Sequence, residues 1–364
     1  MVNSEEKIKI CFLGDGSHVN TQSWTNHVSD VLGHEVHLIT FGNNANISVN
    51  IKKYYIGPNY KNFTRYILCV PRVKKLINVI KPDILIAYRI TSYGFMAACT
   101  GFHPLVLAAQ GQNITYNNSK IKALFCKYAI SKADMIHSWG DNMTQRLREL
   151  GASSDKIFTL PRGINTNLFS MPSEEIVPQT AYRLVSTRGL NPDYNFIQIL
   201  KAISDLQLTF QNFKYSIVGD GPYKVNLQQM ARELGVENFV EFTGKIAHDK
   251  LPSLLRKSDV YIATVATDGV SASLLEAMAS GVFPIVTNNA SNRLWIKNGV
   301  NGYLVDYGDY QGLAQRIKNA LENVELRKHA AEINRQIVDK KASIDVNMKR
   351  FENEWKLLIQ NMLR

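Results

Sequence analysis

Short apolar runs recur along the first half of the chain, at residues 8–13, 35–40, 83–87, 104–108 and 135–137, with helically spaced stretches such as 23–31 between them. Strands that are apolar on both faces and alternate with helices predict a parallel sheet covered on both sides. The pattern lapses over residues 160–178, which have linker composition, and then restarts at 183–186, 215–218, 240–242, 260–263 and 283–287. From about Ser343 onward, Met348, Phe351, Trp355, Leu358 and Ile359 fall on one side of a helix. The reading is an α/β protein with a first unit at 1–165, a linker at 166–180, a second unit at 181–342, and a helix at 343–364 packing back on the first unit. Two such units joined by a Pro-containing connector imply a cleft, a common place for ligands.

Composition fits this picture. At 364 residues the chain exceeds one ordinary domain and suits two. A hydrophobic fraction of 45% with 20% charged residues excludes a disordered chain. No apolar run approaches the roughly 18 residues of a membrane span. The two acids near the N-terminus, running straight into a strand, argue against a signal peptide. Cys11, Cys69, Cys99 and Cys126 sit singly without CxxC spacing and read as buried reduced thiols, hence a cytoplasmic protein.

The formal net charge of +11 asks for an anionic partner or surface. It divides into 19 Lys/Arg against 12 Asp/Glu over residues 1–178 and 23 against 19 over the rest, a mild and spread excess. No RNA-binding or helix-turn-helix signature accompanies it, so nucleic acid is not expected. Over 65–81, Arg65, Arg72, Lys74, Lys75 and Lys81 interleave with apolar residues at helical spacing. That segment reads either as a basic amphipathic helix on an anionic membrane, placing the protein at the inner face, or as an ordinary surface helix.

The chemistry concentrates in residues 268–287. Gly269 permits close backbone approach, a helix begins near Ser271, and Gly281 caps its end before the next strand. A helix start offers N–H donors and partial positive charge to phosphate oxygens. Glu276, a turn further on, is placed to accept two ribose hydroxyls, and Asp268 precedes the helix where it can face a sugar. The same residues also fit a merely capped helix with Glu276 exposed. At the start of the chain, Gly14-Asp-Gly-Ser-His-Val follows a strand but lacks GxGxxG spacing, which argues against an NAD site.

Beyond these physical readings, the chain resembles the GT-B glycosyltransferases of family 4, whose signature is E-x7-E, an apolar helix and Gly-x-P-(I/V)-(I/V). Asp268 and Glu276 have that spacing, with Asp in place of the first Glu. Ser216-Ile-Val-Gly-Asp-Gly-Pro222, Phe242-Thr-Gly-Lys-Ile246 and Asn298-Gly-Val-Asn-Gly-Tyr-Leu304 resemble further family elements. The likeness runs continuously over 184–321 and more loosely through 14–20, 33–37 and 160–165. It implies two Rossmann-like domains with parallel sheets facing across a cleft, a nucleotide diphosphate sugar donor, retention of anomeric configuration, and neither metal nor cofactor.

The resemblance also implies roles. Gly14, Arg188, Tyr194, Gly219, Ile246, Asp268, Gly269, Val270, Ser271, Leu274 and Glu276 fall on donor-binding positions, and His18 and Asn20 on the acceptor side. Arg188 matches the Arg of R-x-L-x-x-x-K-G, whereas Tyr194 replaces its Lys and brings no charge. Gln110 stands where many relatives carry a His; an amide cannot accept a proton at neutral pH. Asp268, Arg188 and Gln110 are thus the catalytic candidates, with the acceptor proton falling to the donor's own phosphate oxygen. UDP is the favoured nucleotide, GDP the second, and a lipid-linked or polysaccharide glycan the expected acceptor in cell-envelope synthesis. The departures at 268, 194 and 110 keep open a catalytically weak or inactive subunit acting as an interaction partner. A phosphorylase, a 2-epimerase and an oxidoreductase each lack their own motif.

Overall fold

The computed structural model describes residues 7–42, 46–57, 64–109, 120–172, 181–267 and 269–363. The chain forms two compact units, Met1–Arg162 with Asn347–Arg364, and Gly163–Val346.

In the first unit seven parallel strands, β1 (Lys9–Leu13), β2 (Glu35–Thr40), β3 (Lys52–Tyr55), β4 (Ile84–Tyr88), β5 (Leu105–Ala108), β6 (Met135–Ser138) and β7 (Ile157–Thr159), lie in the order β3-β2-β1-β4-β5-β6-β7. The strands β1, β2, β4 and β5 are buried almost throughout, as both-face coverage requires. Two strands were not legible in the pattern. β3, Lys-Lys-Tyr-Tyr, is an exposed edge, and β7 is a three-residue edge on the other side.

Alternate residues divide the core. Cys11 and Leu13 face one layer with Val73, Ile77, Met96, Cys126 and Ile130, drawn from the helices Val70–Ile80, Phe95–Ala98 and Lys120–Lys132. Phe12 faces the other, stacked on Tyr88 and edge-on to Trp355. Trp355 and Phe351, on the helix Ile344–Leu363, are fully buried against Trp24 and His137. The basic segment 65–81 is not one helix: it breaks into Thr64–Leu68 and Val70–Ile80, with Pro71 in the first turn of the second. All four cysteines are unpaired, Cys11 and Cys126 buried as expected, whereas Cys69 and Cys99 are half-buried.

The second unit has six parallel strands, β8 (Tyr182–Ser186), β9 (Phe213–Val218), β10 (Val240–Gly244), β11 (Val260–Ala263), β12 (Phe283–Thr287) and β13 (Tyr303–Val305), in the order β10-β9-β8-β11-β12-β13. In both sheets the strand order reverses beside the first strand of the unit, between β1 and β4 and between β8 and β11. Loops leaving the carboxyl ends of such neighbours part to opposite faces and leave a crevice, the usual ligand position in open α/β sheets. Gly14 follows β1 and Arg89 follows β4. Arg188 follows β8, and the segment leading to Ser271 follows β11.

Candidate functional site

At the β8–β11 reversal the second unit gathers several of the expected donor residues. The helix Ala272–Ala279 starts directly after Ser271, whose hydroxyl accepts from the Leu274 N–H at 3.2 Å as its N-cap. The Arg188 guanidinium donates to that same oxygen, although the two residues are 83 positions apart. The first-turn N–H groups of Ala272 and Ser273 precede any intrahelical partner, so the helix start keeps two donors beyond the one Ser271 occupies. Gly281 adopts φ +81° just past the helix, the left-handed stop expected of it.

Arg188 is also held from below. Its Cζ lies 5.2 Å from the centroid of the Tyr194 ring, and that ring packs on the hydrophobic core of the unit. The Tyr194 and Asn195 carbonyls accept from Thr264 Oγ1 at 3.2 and 3.0 Å, which ties this turn to the end of β11. Tyr194 therefore positions the neighbouring cation rather than supplying a charge of its own.

Gly219 works through its backbone. A Cβ there would lie 2.1 Å from the Arg188 carbonyl oxygen, so only glycine lets the turn after β9 close on the Arg188 loop. The contact is completed by Leu190 N–H to Asp220 O at 3.1 Å and Tyr223 N–H to Leu190 O at 3.0 Å. Gly269 differs: a Cβ there would meet nothing within 4 Å, so packing among the described residues does not require glycine. Ile246 and Val270 are partly buried against the core beneath the helix. Asp268 and Gln110 lie outside the described residues.

Glu276 is buried, not exposed, with 7% of its surface accessible, and its Oε1 is paired with His248 Nε2 at 3.1 Å. His248 in turn packs edge-on against Phe169, with centroids 5.3 Å apart. Sequence reasoning missed His248, because a lone His in a short turn carries no period or spacing. One carboxylate oxygen is thereby oriented by the imidazole, which leaves the other for a ligand hydroxyl.

At the β1–β4 reversal of the first unit, a Cβ on Gly14 would lie 3.0 Å from Tyr88 Cδ2 and 3.2 Å from Thr21 Cγ2, so the strand-to-helix loop sits tightly on Tyr88. His18 caps the helix Val19–Asn26, its Nδ1 accepting from the Asn20 N–H at 3.2 Å. That leaves the proton of the neutral ring on Nε2, facing away from the cap. Burial holds the His18 pKa below its ordinary value; the nearby Arg89 and Arg162 charges add to this and Asp15 opposes it. The Asn20 side-chain oxygen accepts from Arg162. Arg89 and Arg162 were not anticipated. Arg89 is identifiable only in the fold, where it occupies a left-handed position at φ +62° directly after β4. Among the described residues no group of three His, Cys, Asp or Glu side chains is arranged to hold a metal ion.

Comparison with known proteins agrees with this layout. Residues 171–337 match the model of the family described as glycosyl transferases group 1, and residues 9–139 match that described as glycosyl transferase 4-like. The putative colanic acid biosynthesis glycosyltransferase WcaL of Escherichia coli is 25% identical over 192 residues, 51% of this chain and 47% of that protein. The putative glycosyltransferase EpsD of Bacillus subtilis is 27% identical over 210 residues, 55% and 52% respectively. The chain thus spans about half the length of the curated relatives it matches. Among solved structures, HepE of Anabaena in complex with UDP superposes with a TM-score of 0.82 at 17% identity, over 96% of this chain and 100% of that one.

Proposed function

The chain belongs to the GT-B glycosyltransferases of group 1, and we propose that within this family it is a retaining, metal-independent transferase. It takes the sugar of a nucleotide diphosphate sugar, UDP-linked by preference, to a lipid-linked or polysaccharide acceptor in cell-envelope glycan synthesis. The observation that carries this reading is the Arg188 guanidinium fixed on Ser271 at the start of the helix Ala272–Ala279. A fixed guanidinium beside helix N–H donors is a preorganised site for the negative charge that accumulates on a departing diphosphate. As the bond between the anomeric carbon and the diphosphate oxygen breaks, that charge meets donors already in place. The acceptor hydroxyl bonds to the anomeric carbon on the same face and passes its proton to the diphosphate oxygen. In this reading Glu276 binds the ribose through the carboxylate oxygen that His248 leaves open, while Asp268 faces the sugar. His18, through Nε2–H, and Asn20 meet the acceptor. HepE, solved in complex with UDP and in complex with UDP-glucose, supports the choice of nucleotide.

Titration calorimetry with nucleoside diphosphates tests this. UDP should bind wild type and bind Glu276→Ala at least about tenfold more weakly, the loss of one or two charged hydrogen bonds. Arg188→Ala should lower turnover more than donor affinity. Unchanged UDP affinity in Glu276→Ala would remove the ribose assignment. No binding of any nucleotide, together with no sugar release from any donor, would leave only the interaction-partner role.

A further inference from the structure

Counted by halves the basic excess reads as spread, but counted along the sequence it concentrates in one stretch. Between Glu35 and Asp134 there are 13 Lys/Arg and a single acid, Asp83, a net +12 against +11 for the whole protein. The rest of the molecule is therefore close to neutral. The segment includes three of the helices on one side of the first sheet, Val70–Ile80, Phe95–Ala98 and Lys120–Lys132, together with the short Thr64–Leu68 beside them; a further helix of that layer, Asp141–Glu149, lies outside it.

The outward face of that layer is apolar as well as basic. The helix Lys120–Lys132 buries Cys126, Ala129 and Ile130 against the core. Yet Ile121, Leu124 and Tyr128, spaced three and four apart on its other side, are 65%, 66% and 40% exposed. On the neighbouring helices Leu68 is 77% and Val79 72% exposed. Around these apolar side chains stand Arg72, Lys74, Lys75, Lys81, Lys127 and Lys132, all exposed. No ion pair within the described residues neutralises them. Because the helices share one side of one sheet, their solvent faces point the same way.

We propose that this helical face of the first unit docks on an anionic lipid bilayer, with Leu68, Val79, Ile121 and Leu124 entering the headgroup region and the lysines meeting lipid phosphates. The charge complementarity is one-sided: a patch of cations and exposed aliphatic side chains, on helices that themselves carry no Asp or Glu, matches a surface of negative headgroups over hydrocarbon. An acidic protein or a nucleic acid would satisfy the lysines but leave the aliphatic side chains in water. Among the described residues no helix is long and apolar enough to cross a membrane, so the contact is peripheral. The proposal rests on the transfer reaction above only in supplying the place where a lipid-linked acceptor is met.

Flotation of the full chain with vesicles tests it without any donor or acceptor, so its failure is separate from failure of the transfer reading. Binding is expected to phosphatidylcholine vesicles containing phosphatidylglycerol and not to phosphatidylcholine alone. Lys74→Glu/Lys75→Glu/Lys127→Glu should weaken that binding by at least about a hundredfold, from roughly tenfold or less per cation near the surface. Leu68→Ser/Ile121→Ser/Leu124→Ser should weaken it by at least about tenfold through lost apolar burial. Both variants alter exposed positions only, and unchanged UDP binding would show that they fold. Equal binding to neutral and anionic vesicles, no binding to either, binding indifferent to the variants, or tight binding to RNA with none to vesicles would each overturn the proposal.

Discussion

The Arg188 guanidinium lies 5.2 Å over the ring of Tyr194, so the residue that the family resemblance sets at a lysine position holds the neighbouring cation in place. A cation over a partly buried aromatic ring gains about 0.5–2 kcal/mol. Tyr194→Phe keeps the ring and should retain turnover to within about twofold. Tyr194→Ala frees Arg188 from the ring and should lower turnover about two- to thirtyfold, the same energy expressed as a rate. Tyr194→Lys restores the charge but removes the ring, and should fall between the two. Steady-state kinetics on the three variants decides. A Phe variant as impaired as Ala would show that the hydroxyl, not the ring, is what matters.

Ser271 serves two partners with one oxygen, and substitutions separate them. Ser271→Ala loses the N-cap and should cost about 1 kcal/mol of stability in urea unfolding. Ser271→Asp remains a good cap and pairs with Arg188, so stability should persist, but its carboxylate would occupy the place proposed for the diphosphate. UDP affinity should then drop at least about tenfold, which is about 1.4 kcal/mol. Normal UDP affinity in Ser271→Asp would place the diphosphate elsewhere.

Two glycines make a matched pair. In Gly219→Ala the new methyl would lie 2.1 Å from the Arg188 carbonyl, so the loop must move. Both stability and UDP affinity should fall, the former by about 1–3 kcal/mol. In Gly269→Ala the methyl meets no neighbour within 4 Å, so the melting temperature should hold. A loss of UDP affinity confined to the Gly269 variant would show a ligand approaching its backbone; no loss would remove it from the donor site.

His137 supplies a pH dependence unconnected with the reaction. It is fully buried among Trp24, Phe351 and Trp355, and its Nε2 accepts from Trp355 Nε1–H at 3.2 Å. Burial lowers its pKa to about 3, against about 6.5 in the unfolded chain. Below 6.5 the unfolded state binds a proton that the folded state refuses, so this group's stabilising effect is complete above pH 6.5. It is lost as pH falls toward 3, by up to about 1.4 kcal/mol per pH unit. Urea titrations should show stability declining through this window. His137→Leu should be less stable at neutral pH but decline less steeply in acid; an equally steep decline would place the acid sensitivity elsewhere.

Both sheets were readable as alternating apolar runs and helices because parallel strands buried on both faces must be apolar throughout. The capped helix after Ser271, its stop at Gly281 and the helix bearing Phe351 and Trp355 were readable for a similar reason: caps and helical faces are set by residues a few positions apart. The edge strands β3 and β7 escaped notice because an edge need not be apolar. What joins Arg188 to Ser271, His248 to Glu276, and Arg89 to the His18 loop is strand order, which no local period records. Likewise, the helix Lys120–Lys132 is apolar on two sides, and spacing alone cannot say which side the sheet covers. Short-range spacing thus determined the elements and where chemistry concentrates along the chain; only long-range packing decided which side chains meet there and which apolar face was left to solvent.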